Sequence, residues 1–154
     1  ALLTLHAAME EKRQVVYHAV EKYPLEKGEI RELIGHFPKS AGWLEALHDA
    51  PWETDHMIAP GFVLHKEKSD FREIRTSRTF DLIFFDAFAP DVQPHLWSTE
   101  IFEKAWDRTR PGGILVTYSS RGSVRRNLTA AGYIVEKIPG PPGKREMVRA
   151  RRSL

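Results

Sequence analysis

Cysteine is absent from the 154-residue sequence, and this absence excludes several classes of site. Without thiols the chain has no disulfide framework, no cysteine-ligated zinc or iron–sulfur cluster, and no thiolate nucleophile. Internal repeats and low-complexity segments are missing as well. What remains is an ordinary globular composition, with 42% hydrophobic and 29% charged residues, and it predicts a single folded domain over residues 1–154.

Long apolar runs are the second absence. No stretch of the sequence approaches the roughly 18–20 apolar residues that a membrane-spanning helix needs. No basic stretch precedes the apolar residues at the N-terminus, as it would in a secretory signal peptide. We therefore expect a cytoplasmic protein that has no membrane partner.

Basic residues are outnumbered by acidic residues in most of the chain and are concentrated in its last part. Residues 121–154 carry a net charge of +7, whereas residues 1–120 carry a net charge of −5. A basic surface of this kind suits an anionic polymer such as RNA, which it binds through phosphate groups. A solvated basic tail without a partner is the alternative interpretation at this point.

Apolar strands alternate with helical segments along the sequence, which is typical of an α/β fold with a parallel sheet. The segment Phe80–Phe85 (FDLIFF) is almost continuously apolar, as in a parallel strand that is covered on both faces. The last two strands, Tyr133–Ile138 and Met147–Arg151, are joined by the turn Gly140–Gly143, which is too short for a crossover, so they are predicted to be antiparallel. The segment 51–61 is predicted to be a loop.

Acidic residues follow apolar strands at three points. Glu21 follows the strand Gln14–Val20, Asp86 follows Phe80–Phe85, and Asp70 follows a less well defined strand. Ligands of open α/β sheets bind outside the carboxyl ends of the strands, where an acid accepts the hydroxyls of a ribose, so we expect Glu21 and Asp86 to face one cleft. The alternatives are a helix-capping or surface carboxylate for Glu21 and an ordinary loop carboxylate for Asp86.

Five sequence blocks with a specific combined spacing occupy the second half of the chain. They are Asp86–Pro90 (DAFAP), Pro94–Trp97 (PHLW), Arg110–Gly113 (RPGG), Gly122–Arg126 (GSVRR) and Gly143–Met147 (GKREM). In these blocks the sequence resembles the methyltransferases that form 5-methylaminomethyl-2-thiouridine at the wobble position of tRNA, namely the MnmC methyltransferase domain and its stand-alone, MnmD-like relatives. The segment 18–25 (HAVEKYPL) resembles the second strand of this family and its ribose-binding acid.

The resemblance implies a class I, Rossmann-like methyltransferase fold, with a mostly parallel seven-stranded sheet that ends in an antiparallel strand. It implies S-adenosylmethionine as the cofactor and methyl transfer to the amine of 5-aminomethyl-2-thiouridine in tRNA. By this resemblance Glu21 binds the ribose, Asp70 binds the adenine end, and Asp86 lies beside the methyl-transfer point as the catalytic residue. Phe88 and Pro90 then shape the pocket for the target base.

The target nucleotide lies in a single-stranded loop, so its base can be splayed out and stacked on an aromatic side chain. Phe88 and Trp97 are the candidates for this contact, and the alternative for Trp97 is a packing role at the entry of a helix. Four basic residues are assigned to the tRNA phosphates, with pairing to nearby glutamates or simple solvation as the alternative. They are Arg125, Arg126, Lys144 and Arg145.

The sequence departs from the family pattern at two points. The family has a glycine-rich turn after its first strand, whereas the first glycine here is Gly28, and no capping residue precedes the helix predicted at 1–12. The N-terminal strand and its turn are therefore expected to be missing, as in an N-terminally truncated domain. The glycine that usually precedes the acid at position 70 is replaced by Ser69.

Other functions remain open at this point. Bifunctional relatives carry a flavin-dependent oxidase domain, for which this chain has neither the length nor a dinucleotide fingerprint. We therefore expect no FAD, no metal and a separate oxidase acting upstream. The alternative is a degenerate or truncated methyltransferase-like domain that binds RNA or a partner without catalysis. A nucleotide-binding dehydrogenase would suit Glu21. However, the sequence lacks the glycine fingerprint of such enzymes, and this interpretation leaves the blocks of 81–150 unexplained.

Overall fold

Seven strands and five α-helices alternate through residues 1–143 and 145–154, which the computed structural model describes. They divide into two units, Ala1–Ile74 and Arg75–Leu154. Each unit is built around one sheet, and each sheet contains one parallel pair of strands. The α/β class predicted from the alternation of strands and helices is confirmed.

The first unit holds a three-stranded sheet in the order β1-β3-β2. Its elements are α1 (Leu2–Glu10), β1 (Val15–Val20), α2 (Lys27–His36), α3 (Ala41–Asp49), β2 (Asp55–Ala59) and β3 (Phe62–Glu67). β1 and β3 run parallel, with Val20 opposite Glu67 at their carboxyl ends. Leu5 of α1 and Leu47 of α3 belong to the same buried cluster as Phe62 of β3, so both helices cover this sheet.

The segment 51–61 contains a strand, so the loop predicted there is wrong. β2 runs antiparallel to β3, and the tight turn between them passes through Gly61, which has a φ of +85°. The sequence conceals β2 because Asp55, His56 and Met57 are all exposed on it. A strand without apolar alternation gives no period-2 signal.

The second unit holds a four-stranded sheet in the order β4-β5-β7-β6. Its elements are β4 (Phe80–Phe85), α4 (Thr99–Arg108), β5 (Thr109–Thr117), α5 (Gly122–Ala130), β6 (Ile134–Pro139) and β7 (Glu146–Arg151). β4 and β5 are parallel, whereas β7 is antiparallel to both of its neighbours, β5 and β6. The antiparallel arrangement predicted for the last two strands is therefore confirmed.

Helix α4 is anchored at its first turn and along one side. Ser98 accepts a hydrogen bond from the backbone N–H of Ile101 (3.4 Å), which caps the helix. The buried ring of Phe102 lies 5.2 Å from the ring of Phe85 at the end of β4. Burial of such a side chain contributes about 1.5–3 kcal/mol, and here it ties α4 to the strand that precedes the candidate site.

Strand β4 buries one face and exposes the other. Phe85 is 6% exposed, but Leu82 and Phe84, which point to the opposite face, are 45% and 53% exposed. The prediction that both faces of this strand are covered is therefore wrong for the residues that the structure describes. β4 is the edge strand of its sheet, and α4 packs on the Phe85 side.

The RPGG block lies inside β5 rather than before it. β5 begins at Thr109, and its pairing with β4 changes register after Phe80. Gly112 has a φ of +77°, and a Cβ atom on Gly113 would lie 2.8 Å from the carbonyl oxygen of Arg110 and 3.1 Å from that of Phe80. The first glycine is therefore required for its conformation and the second for space.

Gly113→Ala is expected to destabilise the protein by about 1–3 kcal/mol, because the closest oxygens belong to the backbone and cannot swing away. Gly35→Ala is the matched control, since Gly35 lies in α2 with open space around it, and alanine there adds up to about 1 kcal/mol of helix propensity. Urea unfolding of the two variants measures the difference. Equal midpoints would contradict the close approach at Gly113.

Candidate functional site

Glu21 lies directly after β1, at the carboxyl end of a parallel strand. Its backbone N–H donates a hydrogen bond to the carbonyl oxygen of Glu67 at the end of β3 (3.0 Å), and the residue is exposed. The ends of β1 and β3 therefore meet at Glu21. This placement suits an acid that accepts the hydroxyls of a ribose, and the ribose contact itself stays a prediction.

A buried histidine–glutamate pair lies next to this end of the sheet, and sequence reasoning missed it. Nε2 of His18 and Oε2 of Glu67 are 3.1 Å apart, and the two side chains are 2% and 3% exposed. The rings of His18 and His65, which are opposite each other in the register, lie 4.5 Å apart. The pair ties β1 to β3 just before Glu21. The only sequence signal is a histidine inside an apolar strand, since its partner is 49 residues away.

Asp70 follows β3 and is surrounded by cations. Its Oδ1 accepts hydrogen bonds from the backbone N–H (2.9 Å) and Nε (3.0 Å) of Arg72. Its Oδ2 accepts from Nη2 of Arg72 (2.7 Å) and lies 2.9 Å from Nζ of Lys22. The Arg72 guanidinium above all, followed by the Arg72 backbone N–H and Lys22, holds the pKa of Asp70 well below its ordinary value.

These contacts bear on the role predicted for Asp70, which stays a prediction. A carboxylate offers about four acceptor positions, and all of them are used by Arg72 and Lys22. An adenine group would have to displace one of these two cations, whose side chains are partly exposed. Asp70 fixes Lys22, the residue that follows Glu21. The sequence did not reveal this because the Arg72 side chain folds back on the short helical turn that Asp70 begins.

A cleft of 570 Å³ opens beside Lys22 in the same unit. Nζ of Lys22 lies 5.2 Å from the centre of the Tyr23 ring, which is 71% exposed. Leu25 and Lys68 also line the cleft. Glu26 and Glu29 line it as well, so the two cations of the lining face two acids, and the exposed ring of Tyr23 is its aromatic surface.

Asp86 lies directly after β4 in the second unit and is exposed. Tyr118 follows the neighbouring strand β5, and its hydroxyl donates a hydrogen bond to the carbonyl oxygen of Ala87 (2.9 Å). Burial, and after it the charge of Asp86, raises the pKa of Tyr118. The ends of β4 and β5 thus bring together an exposed carboxylate and a tyrosine hydroxyl.

The two aromatic residues predicted to stack on the target base lie in opposite environments. Phe88 is 67% exposed, whereas Trp97 is 3% exposed and packs edge-on against Phe85, with ring centres 5.3 Å apart. The indole N–H of Trp97 donates a hydrogen bond to the carbonyl oxygen of Phe88 (2.8 Å). A covered ring offers no face to a base, so the stacking role predicted for Trp97 is corrected to packing, and Phe88 remains the candidate.

An ion pair lies near the far end of residues 86–93, the segment that follows β4. Both terminal nitrogens of Arg121, the residue before α5, donate hydrogen bonds to the carboxylate of Asp91. The Arg121 guanidinium lowers the pKa of Asp91. Pro90, which is predicted to shape the base pocket, is half-buried within the segment. Residues 86–93 are therefore held at both ends.

The predicted tRNA-contacting residues lie on and after α5. Arg125 is half-buried and Arg126 is exposed, and both line a shallow depression of 420 Å³. Lys144 lies outside the described residues, and its neighbour Arg145 is exposed.

The glutamates of this region pair with other cations. Glu136 pairs with Arg149 (2.7 Å), and Glu146 pairs with Lys137 (2.9 Å). The Lys137 hydrogen bond, and after it the charges of Lys137 and Arg145, lower the pKa of Glu146. The ion-pair partners of these two glutamates among the described residues are thus Arg149 and Lys137, while the charges of Arg145 and Arg125 also act on Glu146, so the phosphate-contacting role of the arginines stays a prediction.

A family model described as S-adenosyl-L-methionine-dependent methyltransferase matches residues 58–153, which is more than half of the chain.

Several solved structures share the fold at low sequence identity. MnmC2 from Aquifex aeolicus is similar over 97% of this chain and 48% of its own, with a TM-score of 0.70 and 23% identity. A methyltransferase from Pyrococcus furiosus is similar over 99% of this chain and 69% of its own, with a TM-score of 0.59 and 17% identity. The apo form of the S-adenosylmethionine-dependent methyltransferase SibL matches 100% of this chain and 55% of its own, with a TM-score of 0.52 and 12% identity. The chain thus spans about half the length of the Aquifex protein.

In residues 1–143 and 145–154, no helix combines the length and apolar character needed to cross a membrane. The same part of the chain contains no group of three or more His, Asp or Glu residues that could hold a metal ion.

Asp70→Asn is expected to destabilise the protein at pH 7 by about 1–3 kcal/mol, because Arg72 and Lys22 lose their carboxylate. Since the pKa of Asp70 is lowered in the folded state, its stabilisation is complete above the unfolded-state pKa of 3.8 and is lost as the pH falls through the lower folded-state pKa. The difference in unfolding free energy between wild type and variant should therefore shrink below about pH 4. Asp107→Asn on the exposed side of α4 is the control, and a difference that stays constant with pH contradicts the assignment.

Proposed function

The chain belongs to the family of S-adenosyl-L-methionine-dependent methyltransferases, and on this premise we propose that it methylates the amine of 5-aminomethyl-2-thiouridine at the tRNA wobble position. The observation that carries the proposal is the segment 86–93, which presents an exposed carboxylate and an exposed phenyl ring at the end of a parallel strand. The fold shared with the Aquifex MnmC2 and the DAFAP and GSVRR blocks support this choice of substrate.

The two units are proposed to serve one methyltransferase domain, residues 1–154, which acts on tRNA in the cytoplasm. Its substrate amine is proposed to come from a separate oxidase. S-adenosylmethionine is the cofactor that the family implies.

The chemistry is an in-line displacement in which an electrophilic methyl group is supplied by the cofactor when it is bound. The lone pair of the substrate amine forms the new N–C bond, the electrons of the C–S bond remain on sulfur, and the product ammonium releases a proton to solvent. Holding the two reactants in line lowers the barrier by roughly 7–11 kcal/mol at best. The demands on the protein are therefore approach geometry and exclusion of water.

Asp86 is the catalytic residue of this proposal. Its carboxylate accepts a hydrogen bond from an N–H of the amine, so that the lone pair points toward the methyl group. A carboxylate also favours the protonated amine, which is unreactive, and the role of Asp86 is therefore orientation rather than strong base catalysis.

Phe88 is the platform for the target base. Its ring is 67% exposed, and the backbone carbonyls beside it are hydrogen-bonded by Tyr118 and Trp97. Stacking of a base on such an aromatic side chain contributes about 1–3 kcal/mol. Pro90, two residues further on, stiffens the same segment because its ring fixes φ.

Glu21 is proposed to bind the cofactor ribose. Its carboxylate, exposed at the end of β1, has the acceptor chemistry that two vicinal hydroxyls require. The carboxylate of Glu21 thus fits the ribose end of the cofactor. No residue of this chain is assigned to the methionine end of the cofactor.

A second candidate function, which the net charge of +7 in residues 121–154 suits equally well, is a methyltransferase-like domain that binds RNA without catalysis. Cofactor binding separates the two. Titration of the full-length protein with S-adenosylmethionine in a calorimeter should give saturable binding for an enzyme and no heat for the second candidate.

Glu21→Gln is expected to weaken S-adenosylmethionine binding by roughly 10- to 100-fold, because a charge-assisted hydrogen bond is lost. Asp86→Asn should leave this affinity within about threefold of wild type and abolish methyl transfer to tRNA. Calorimetry and a radiolabelled-methyl assay measure the two effects. Asp81→Asn, at the opposite end of β4, is the control for Asp86, and a reversed pattern would overturn both roles.

Arg125→Ala/Arg126→Ala is expected to reduce the slope of log affinity for tRNA against log salt by about 1.5, since each lost phosphate contact removes about 0.7–0.9. Lys144→Ala/Arg145→Ala should have a similar effect. Arg110→Ala is the matched control, because Arg110 forms a two-point contact with Asp81. An unchanged slope in a double variant would remove that pair from the RNA contact.

A further inference from the structure

Two consecutive carbonyl groups of the segment after β4 are bonded by aromatic side chains from other elements. The hydroxyl of Tyr118 donates to the carbonyl oxygen of Ala87 (2.9 Å), and the indole N–H of Trp97 donates to that of Phe88 (2.8 Å). Loop carbonyls on a protein surface are usually solvated by water. Here both carbonyls are directed toward protein donors, so the orientations of the 87–88 and 88–89 peptide units are fixed.

The two donors also support each other. The rings of Tyr118 and Trp97 pack edge to face, with centres 5.8 Å apart. The carbonyl oxygen of Trp97 in turn accepts a hydrogen bond from Nδ2 of Asn127 on α5 (2.7 Å). Neither ring can shift without disturbing the other, so β5 and α5 together set the position of the segment.

Two side chains of the same segment are exposed, although its carbonyls are bonded within the protein. Phe88 is 67% exposed, although exposure of a phenyl ring to water is unfavourable, and Asp86 is exposed as well. The single proton of the Tyr118 hydroxyl is used by Ala87 and is therefore not donated to Asp86. The Asp86 carboxylate keeps its acceptor capacity for a substrate amine.

We propose that Tyr118 is a positioning residue for the acceptor, whose hydroxyl fixes the 87–88 peptide and thereby the carboxylate of Asp86 and the ring of Phe88. The proposal rests on the proposed function, in which those two side chains contact the target nucleotide. A preorganised pair of contacts does not have to be ordered during the reaction, and this lowers the barrier.

Tyr118→Phe in the full-length protein tests the proposal, because phenylalanine keeps the ring against Trp97 and removes only the hydroxyl. Tyr133→Phe is the matched control, since it removes a buried hydroxyl that bonds Thr109 (2.7 Å) away from the segment. Tyr118→Phe should accelerate hydrogen exchange of the amides of Val92 and Gln93, which bond Ala89 within the segment, by about five- to tenfold. Tyr133→Phe should leave their exchange unchanged.

The kinetic readout separates positioning from general stability. Tyr118→Phe should lower kcat for tRNA methylation by about five- to tenfold and leave the KM for S-adenosylmethionine within about twofold of wild type. Asp91→Asn, on an exposed side chain, loosens the segment from its other end and should reproduce both the exchange and the kcat effects.

The outcomes are distinct. Unchanged exchange in Tyr118→Phe overturns the proposal, and so do equal losses of kcat in Tyr118→Phe and Tyr133→Phe, which indicate a structural role. A wild-type protein that does not methylate tRNA, together with faster exchange in Tyr118→Phe, overturns the proposed function and supports the positioning of the segment by Tyr118.

Discussion

The constraint on which both units depend is the pairing of two parallel strands. Parallel neighbours cannot be joined by a tight turn, so the chain must leave the sheet, cross it and return, and helices form on the way. The carboxyl ends of the two strands then lie side by side. In the first unit this places Glu21 next to the end of β3, and in the second it places Asp86 near Tyr118. The candidate chemistry follows from this topology more than from any single motif.

The sequence predicted well what depends on local pattern. The apolar run FDLIFF is a strand, and the short turn after β6 makes the last pair antiparallel. These features are encoded within a few neighbouring residues. β2 was missed for the same reason, because its stability comes from pairing with β3 and not from its own exposed side chains.

What the sequence could not supply is the pairing of distant polar groups. The acceptor capacity of Asp70 depends on where Arg72 and Lys22 point, and the His18–Glu67 contact joins two strands that are far apart in the chain. Burial of Trp97 likewise depends on α4 and the end of β4. A residue type at a strand end therefore predicts where a functional group lies. The tertiary structure decides which of its hydrogen-bonding positions and which part of its surface remain available to a ligand.

The exposed apolar face of β4 has a consequence for handling the protein. Leu82 and Phe84 lie on the edge strand of their sheet, and such an edge is a template for the addition of another extended chain. Asp81, which pairs with Arg110 next to these residues, places a charge on the same strand and opposes such addition. Protection of this edge therefore rests on an exposed ion pair and not on burial, so screening by high salt is expected to weaken it.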